Sequence, residues 1–298
     1  MVYHIPALLN ESIEGLNIQP EGIYVDVTFG GGGHSMEILK RLTTGRLIAF
    51  DQDDDAGMNI PVNENFLFLD QNFRFLKNNL LFNGISSIDG LIADLGVSFH
   101  QFDEAERGFT FRQDAPLDMR MNKNGSVTAA HLLNSLNETS LADVFYKFGE
   151  LVNSRRIAKE IIAARVIKPF SSVSDIIDAI GNLAPNRLEH KFYAKVFQAL
   201  RIAVNHEIDY LKEMLGQSLS LLNQGGRLVV ITYHSLEDRV VKNFMKTGNF
   251  EGEEQKDFYG NVETPFRIIN RKGTTPGDEE IALNNRARSA RLRIAEKI

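Results

Sequence analysis

The chain has 298 residues, 33 Lys plus Arg against 39 Asp plus Glu, a formal net charge of −6, and 43% hydrophobic and 24% charged side chains. These proportions exclude a disordered or collagen-like chain, and the absence of Cys excludes thiolate zinc sites, thiol nucleophiles and iron–sulfur clusters. No apolar run approaches the ~18 residues of a membrane span and the start shows no signal-peptide pattern, so a cytoplasmic protein without a membrane partner is expected.

Ile23–Thr28 is a short β-branched run that ends in four glycines, Gly30 to Gly33, and a helical stretch with Met36, Leu39 and Leu42 follows. Arg46–Asp51, Phe66–Leu69 and Ile88–Leu95 read as further strands, with a helix near 72–83 between the last two. Strands alternating with helices imply βαβ units and a parallel sheet. The alternation stops after residue 95. A polar, loop-like stretch spans about 103–125, and 126–222 reads as mostly helix. Phe192, Val196, Leu200, Val204 and Ile208 recur every four residues and continue into Leu211 and Leu215, which predicts one long helix. Ser172 is a cap signal before 173–180, and Asn223, Gly225 and Gly226 are stop signals. Arg227–Tyr233 is a strand, a helix follows it, 250–285 is part loop, and Ala290–Ala295 alternates as a final strand. The expected architecture is α/β, a Rossmann-like sheet formed by 1–102 and 223–298, with an all-helical insertion at 103–222.

Charge is uneven along the chain. Residues 1–60 carry the whole of the −6, whereas 150–212 and 264–298 have small basic excesses. The total therefore does not exclude a nucleic-acid partner.

The glycine loop is the sharpest local signal. Glycines between a strand and a helix let a ligand approach the backbone. Asp51 closes the next strand, where a carboxylate can accept hydrogen bonds from two ribose hydroxyls, so an adenosine-containing ligand is expected. A dinucleotide fingerprint would require glycine where Thr28 stands, and no P-loop Lys follows the glycines. Asp26 followed by Gly30 and Gly32 fits S-adenosyl-L-methionine better than NAD.

Asp94-Leu-Gly-Val-Ser-Phe-His-Gln101 begins at the carboxyl end of the fourth strand, and the Pro-Pro-aromatic motif of many amino-group methyltransferases is absent there. DVTFGGGGHS, DLGVS, RGFTFRQDAPLDMRM, FQALRIAVNHE, HSLEDR and NNRARSARLR, in that order from His4 to about Glu296, closely resemble the RsmH (MraW) family of bacterial 16S ribosomal RNA cytosine-N4 methyltransferases. The resemblance implies an S-adenosyl-L-methionine-binding core and a helical substrate-recognition insertion. It implies a decoding-centre cytidine of 16S rRNA as acceptor, an assembled small (30S) subunit as the context that the weak basic excess favours, and admits a homodimer. Carried over by residue, its cofactor positions fall on Gly32, Gly33, His34, Asp51, Phe73, Asp94 and Gln101. Two departures are local: Ser98-Phe99-His100-Gln101 replaces Ser-Ser-Pro-Gln, and Gly31 replaces Arg or Lys.

Cytosine N4 is a poor nucleophile, so alignment with the methyl carbon and an acceptor for its proton are the needs of the reaction, and no metal is required. Asp94 and His234 are the candidate acceptors, His234 with the competing role of a strand–helix junction residue. Phe109, Phe111, Arg112 and Arg120 can hold a flipped base or pack a loop, and Arg286, Arg288, Arg291 and Arg293 can face phosphate or solvent. A methyltransferase for another base, a non-catalytic ribosome-assembly factor and a nicotinamide oxidoreductase are the alternatives.

Overall fold

The apolar runs of the sequence form strands of one sheet in the computed structural model, which describes residues 6–97, 101–102, 104–260 and 262–298. In chain order the elements are α1 (Leu9–Leu16), β1 (Ile23–Asp26), α2 (Gly33–Leu39), β2 (Arg46–Asp51), β3 (Phe66–Asp70), α3 (Leu76–Phe82) and β4 (Ile88–Asp94). Helices α4 (Ala129–Ser135), α5 (Glu138–Gly149), α6 (Ser154–Ile167), α7 (Val173–Ile180), α8 (Glu189–Asn205) and α9 (Glu207–Leu221) follow. The chain then forms β5 (Leu222–Thr232), α10 (Ser235–Thr247), β6 (Phe266–Ile268), α11 (Asp278–Leu283) and β7 (Arg291–Lys297). Between α10 and β6, Gln255–Lys256 and Val262–Glu263 pair as a separate ribbon.

The seven-stranded sheet runs β3-β2-β1-β4-β5-β7-β6. Strands β1 to β5 are parallel, and β7 is antiparallel to both of its neighbours. Both faces are covered, as the near-continuous apolar strands require. Val25, Ile48, Leu91 and Val230 point to a core shared with Leu76, Leu80, Leu215 and Phe244. Their neighbours Tyr24, Leu47, Ile92 and Val229 point to the opposite core, with Leu8, Ile13 and Ile38.

Two compact units divide the chain: Met1–Gly96 with Ile208–Ile298, which contains the sheet, and Val97–Glu207, which is helical. The helical unit has its own core, in which Leu141, Phe145, Ile157, Ile176, Val196 and Leu200 are wholly buried.

The division departs from the expected insertion at 103–222. The predicted long helix breaks at His206, whose φ of 51° is left-handed. Asn205 is drawn aside there, accepting from Met121 N at 2.7 Å and donating to Met119 O at 2.8 Å. Beyond the break, Leu211, Met214, Leu215 and Leu221 of α9 join the sheet core, so 208–222 belongs with the sheet. The polar stretch 103–125 is more packed than its composition suggests. Phe109, Leu117, Met119 and Met121 enter the helical core, and the buried Arg107 guanidinium donates to Arg120 O and Met121 O, both at 3.0 Å. The predicted stop signals at Asn223–Gly226 lie inside β5, where the pairing with β4 shifts register. The stretch 250–285 adds β6, anchored by Phe266 against Phe244. Among the described residues no helix is long and apolar enough to cross a membrane.

Candidate functional site at the strand ends

Strands β1, β2 and β4 each end on an aspartate: Asp26, Asp51 and Asp94. The strand order reverses between β1 and β4, and open α/β sheets bind ligands at that switch point, beyond the carboxyl ends.

Thr28 links two of these aspartates. Its N–H donates to Asp26 Oδ1 at 3.0 Å, and its Oγ1 accepts from the Asp94 backbone N at 2.7 Å. Asp26 Oδ2 also accepts from Ser35 Oγ at 2.7 Å. Asp26 is buried, and desolvation raises its pKa against these hydrogen bonds. Its place is that of a clip between the glycine loop and α2.

Asp51 fixes the loop itself: Oδ2 accepts from Gly30 N at 2.7 Å and Oδ1 from Asp53 N at 2.9 Å. Asn59 Nδ2 donates to Gly30 O at 3.0 Å from the other side. Burial pushes Asp51 up to about 6; the two backbone hydrogen bonds oppose this, and the charges of Asp53 and Asp26 add to it. Each carboxylate oxygen retains a second lone pair for a hydroxyl donor.

The glycines have separate reasons. Gly30 and Gly32 have φ of 50° and 78°, in the left-handed region that favours glycine. Gly33 is needed for packing, because a Cβ there would stand 2.1 Å from Pro6 Cγ.

Asp94 has a neutral donor on one oxygen, Tyr233 Oη at 2.8 Å from Oδ1. The other oxygen, Oδ2, lies 3.9 Å from His34 Nδ1, beyond hydrogen-bond reach. Burial pushes Asp94 up to about 7; the Tyr233 hydrogen bond opposes this, while Asp26 and Glu237 reinforce it. His34 is buried at the start of α2, and desolvation holds its pKa down at about 4 against a backbone contact with Ala7. It is therefore neutral near pH 7, and its buried Nε2 has no hydrogen-bond partner among the described residues.

Phe73 opens a 3₁₀ turn after β3 and is half-buried against the sheet core. Asn72 holds that turn, accepting from Arg74 N at 2.9 Å and donating to Gln52 Oε1 at 2.6 Å, one residue beyond Asp51. Gln101 is buried and belongs to the helical unit. Ser98, Phe99 and His100 lie outside the described residues.

His234 is the N-cap of α10. Its Nδ1 accepts from Glu237 N at 3.4 Å and its Nε2 lies 3.1 Å from Glu237 Oε1. The Nδ1 contact is that of a helix cap, as the junction role requires, whereas the buried Nε2 has no hydrogen-bond partner among the described residues. Of the base-gripping candidates, Phe109 is buried, Phe111 packs against Tyr193 and Phe197, and Arg120 pairs with Asp118, whereas Arg112 is exposed. Arg293 is buried and paired with Asp238, so it does not face phosphate.

Sequence reasoning missed Tyr233 and Thr28. The signal for Tyr233 was its place at the end of the fifth strand, but only the pairing of Asp94 with Ile231 brings its phenol to that carboxylate.

Three carboxylates with raised pKa values around one switch point form a site that a positively charged ligand relieves, because an opposite charge favours their ionised form. Asp51 offers acceptors for ribose hydroxyls and Phe73 an apolar face for a planar ring. This fold and site define a Rossmann-like α/β protein that binds a nucleoside-bearing cofactor.

The comparisons with known proteins are specific. The model of the MraW methylase family matches residues 1–298. A Phocaeicola vulgatus protein called Ribosomal RNA small subunit methyltransferase H is 56% identical over 297 residues, covering 99% of this chain and 98% of its own. A Cytophaga hutchinsonii protein of the same description is 52% identical over 298 residues, covering 99% of this chain and 100% of its own. Among solved structures, an rRNA methylase from Streptococcus thermophilus has a TM-score of 0.45 at 14% identity, covering 100% of this chain and 99% of its own. SMU.1697c from Streptococcus mutans, in complex with SAH, has a TM-score of 0.42 at 13% identity and full coverage of both chains. The chain belongs to the MraW methylase family.

Proposed function

We propose that the chain is an S-adenosyl-L-methionine-dependent methyltransferase that methylates the exocyclic N4 of a decoding-centre cytidine in 16S rRNA, within the small (30S) ribosomal subunit in the cytoplasm. The observation that carries the reading is the set of raised carboxylates at the switch point, Asp26, Asp51 and Asp94, with one oxygen of Asp94 having no donor at hydrogen-bond distance among the described residues. Relatives described as Ribosomal RNA small subunit methyltransferase H support the RNA substrate.

The residues present fit the cofactor. Asp51 would accept from the ribose hydroxyls, Phe73 would pack on the adenine, and Gly32, Gly33 and His34 would line the loop, His34 Nε2 having no hydrogen-bond partner among the described residues. Asp94 completes the set within the sheet unit, and the family resemblance adds Gln101. When bound, the cofactor supplies an electrophilic methyl group on a cationic sulfonium. The carboxylates of Asp26, Asp51 and Asp94 would favour a positive charge bound among them, and an opposite charge nearby would favour the ionised Asp94 that can accept a proton. Asp94 Oδ2 then takes the N4 proton, while the protein holds the acceptor nitrogen in line. The helical unit, 97–207, is the part assigned to selecting the RNA.

The test is to incubate undermethylated small subunits and protein-free 16S rRNA with methyl-labelled cofactor and map the label. Label on one cytidine N4 is expected, with subunits preferred. RNA that stays unlabelled at saturating cofactor would leave only a binding or assembly role.

A further inference from the structure

Asp94 has two oxygens in different surroundings. Oδ1 accepts from Tyr233 Oη at 2.8 Å, whereas for Oδ2 the donor recorded among the described residues is His34 Nδ1, at 3.9 Å. The backbone is fixed as well: Asp94 N donates to Thr28 Oγ1 at 2.7 Å, and Leu95 N to Ile231 O at 3.0 Å. Tyr233 is equally constrained. Its own N–H donates to Glu237 Oε2 at 3.0 Å, and its ring lies beside Gly96, where an added Cβ would come within 3.5 Å of Cδ2. A phenol has one proton to donate, and this one is committed to Asp94.

We propose that Tyr233 is a positioning residue for methyl transfer, holding Asp94 Oδ1 so that Oδ2 is the oxygen presented to the acceptor nitrogen's proton. The inference rests on the methyltransferase reading above. In the step it serves, the acceptor nitrogen bonds to the methyl carbon, the carbon–sulfur pair remains on sulfur, and the nitrogen's proton passes to Asp94 Oδ2. Without the phenol the carboxyl group turns freely and its proton affinity rises, because a hydrogen bond to the ionised form is lost.

Among the described residues, titratable groups face this pair from several elements. His34 of α2, Asp26 at the end of β1 and Glu237 of α10 face Asp94, and Glu237 and Glu280 of α11 face Tyr233. All three acidic neighbours disfavour ionisation of the pair, and His34 stays neutral. Among the described residues, the phenol is therefore the group that favours the Asp94 carboxylate.

The experiment compares Tyr233→Phe and Tyr233→3-fluorotyrosine with the unaltered protein. It reads kcat and KM on small subunits across the acid limb of the pH profile, and calorimetric affinity for S-adenosyl-L-methionine over the same range. For Tyr233→Phe, kcat on the acid side of the limb falls about tenfold as the limb moves up by about one pH unit, and KM for the subunit is unchanged. Fluorotyrosine, a stronger donor, moves the limb down. A loss of the same factor at every pH, or a limb unmoved in both variants, overturns the proposal. Should the unaltered protein transfer no methyl group to RNA, the functional reading fails. The affinity limb then still reports on the pair: its upward shift in Tyr233→Phe supports the Tyr233–Asp94 coupling, and an unmoved limb overturns it. Thermal melting checks that both variants fold.

Discussion

Aspartates behave in opposite ways in the two units. In the sheet unit, burial dominates at Asp26, Asp51 and Asp94, and their hydrogen-bond donors are neutral N–H and O–H groups, so all three are pushed upward. In the helical unit, desolvation is outweighed at Asp175 by Lys168, Ser171 and Ser172, and at Asp118 by Arg120, so both are pushed downward. The same side chain thus stabilises structure where a cation or cap meets it, and lies ready for a ligand where none does. An unmet charge is a cost to the fold that a cationic ligand can remove.

The largest effect tests whether the two units are separate cores. Phe145 is fully buried in the helical core, and Phe145→Ala should cost about 3–5 kcal/mol there. Calorimetry should show an early helical transition, while affinity for S-adenosyl-L-methionine at low temperature stays within about tenfold. Complete loss of cofactor binding in folded sheet would show that the contrast between the units is not independent of their coupling.

A smaller effect tests the unmet carboxylates. Asp51 accepts from Gly30 N and Asp53 N on separate oxygens, so an amide must turn its NH₂ toward one of them. Asp51→Asn should weaken cofactor binding by about 2–3 kcal/mol, roughly 30- to 160-fold in Kd. Unchanged affinity in a titration would remove Asp51 from the site.

Much of this contrast was legible in the sequence, and its limits are physical. The glycine loop, Asp51 and Asp94 stood out because a strand that ends on an acidic residue beside glycines is a local pattern. The −6 carried by residues 1–60 also marked the sheet unit as the acidic one. The break at His206 was hidden because the apolar spacing runs on through it, and only Asn205 meeting Met119 and Met121 explains it. Tyr233 was hidden because strand register depends on pairing. His234 drew attention as a titratable group at a strand end, yet the same position makes it a helix cap.

The smallest effect is in stability against pH, and here the units should pull in opposite directions. Asp51 and Asp94, at about 6 and about 7, hold more protons in the fold than in the unfolded chain once pH rises above about 4. The two carboxylates therefore cost the sheet unit about 4 kcal/mol as pH rises from about 5 to about 8, against which the depressed His34 returns about 2 kcal/mol up to about pH 6.5, leaving a net loss of about 2 kcal/mol. Saturating S-adenosyl-L-methionine should flatten the slope, since it restores the ionised forms. Asp175 has the reverse sign: its stabilisation is present above about pH 4 and is lost as pH falls through its depressed value. It accepts from Ser171 N at 2.8 Å and Ser172 N at 2.9 Å in the capping box of α7, so Asp175→Asn should cost about 1 kcal/mol at neutral pH and less in acid. Denaturant midpoints across the range separate the two slopes. A sheet unit that instead gains stability from about pH 5 to pH 8 without cofactor would show that its strand-end carboxylates are already met by the fold.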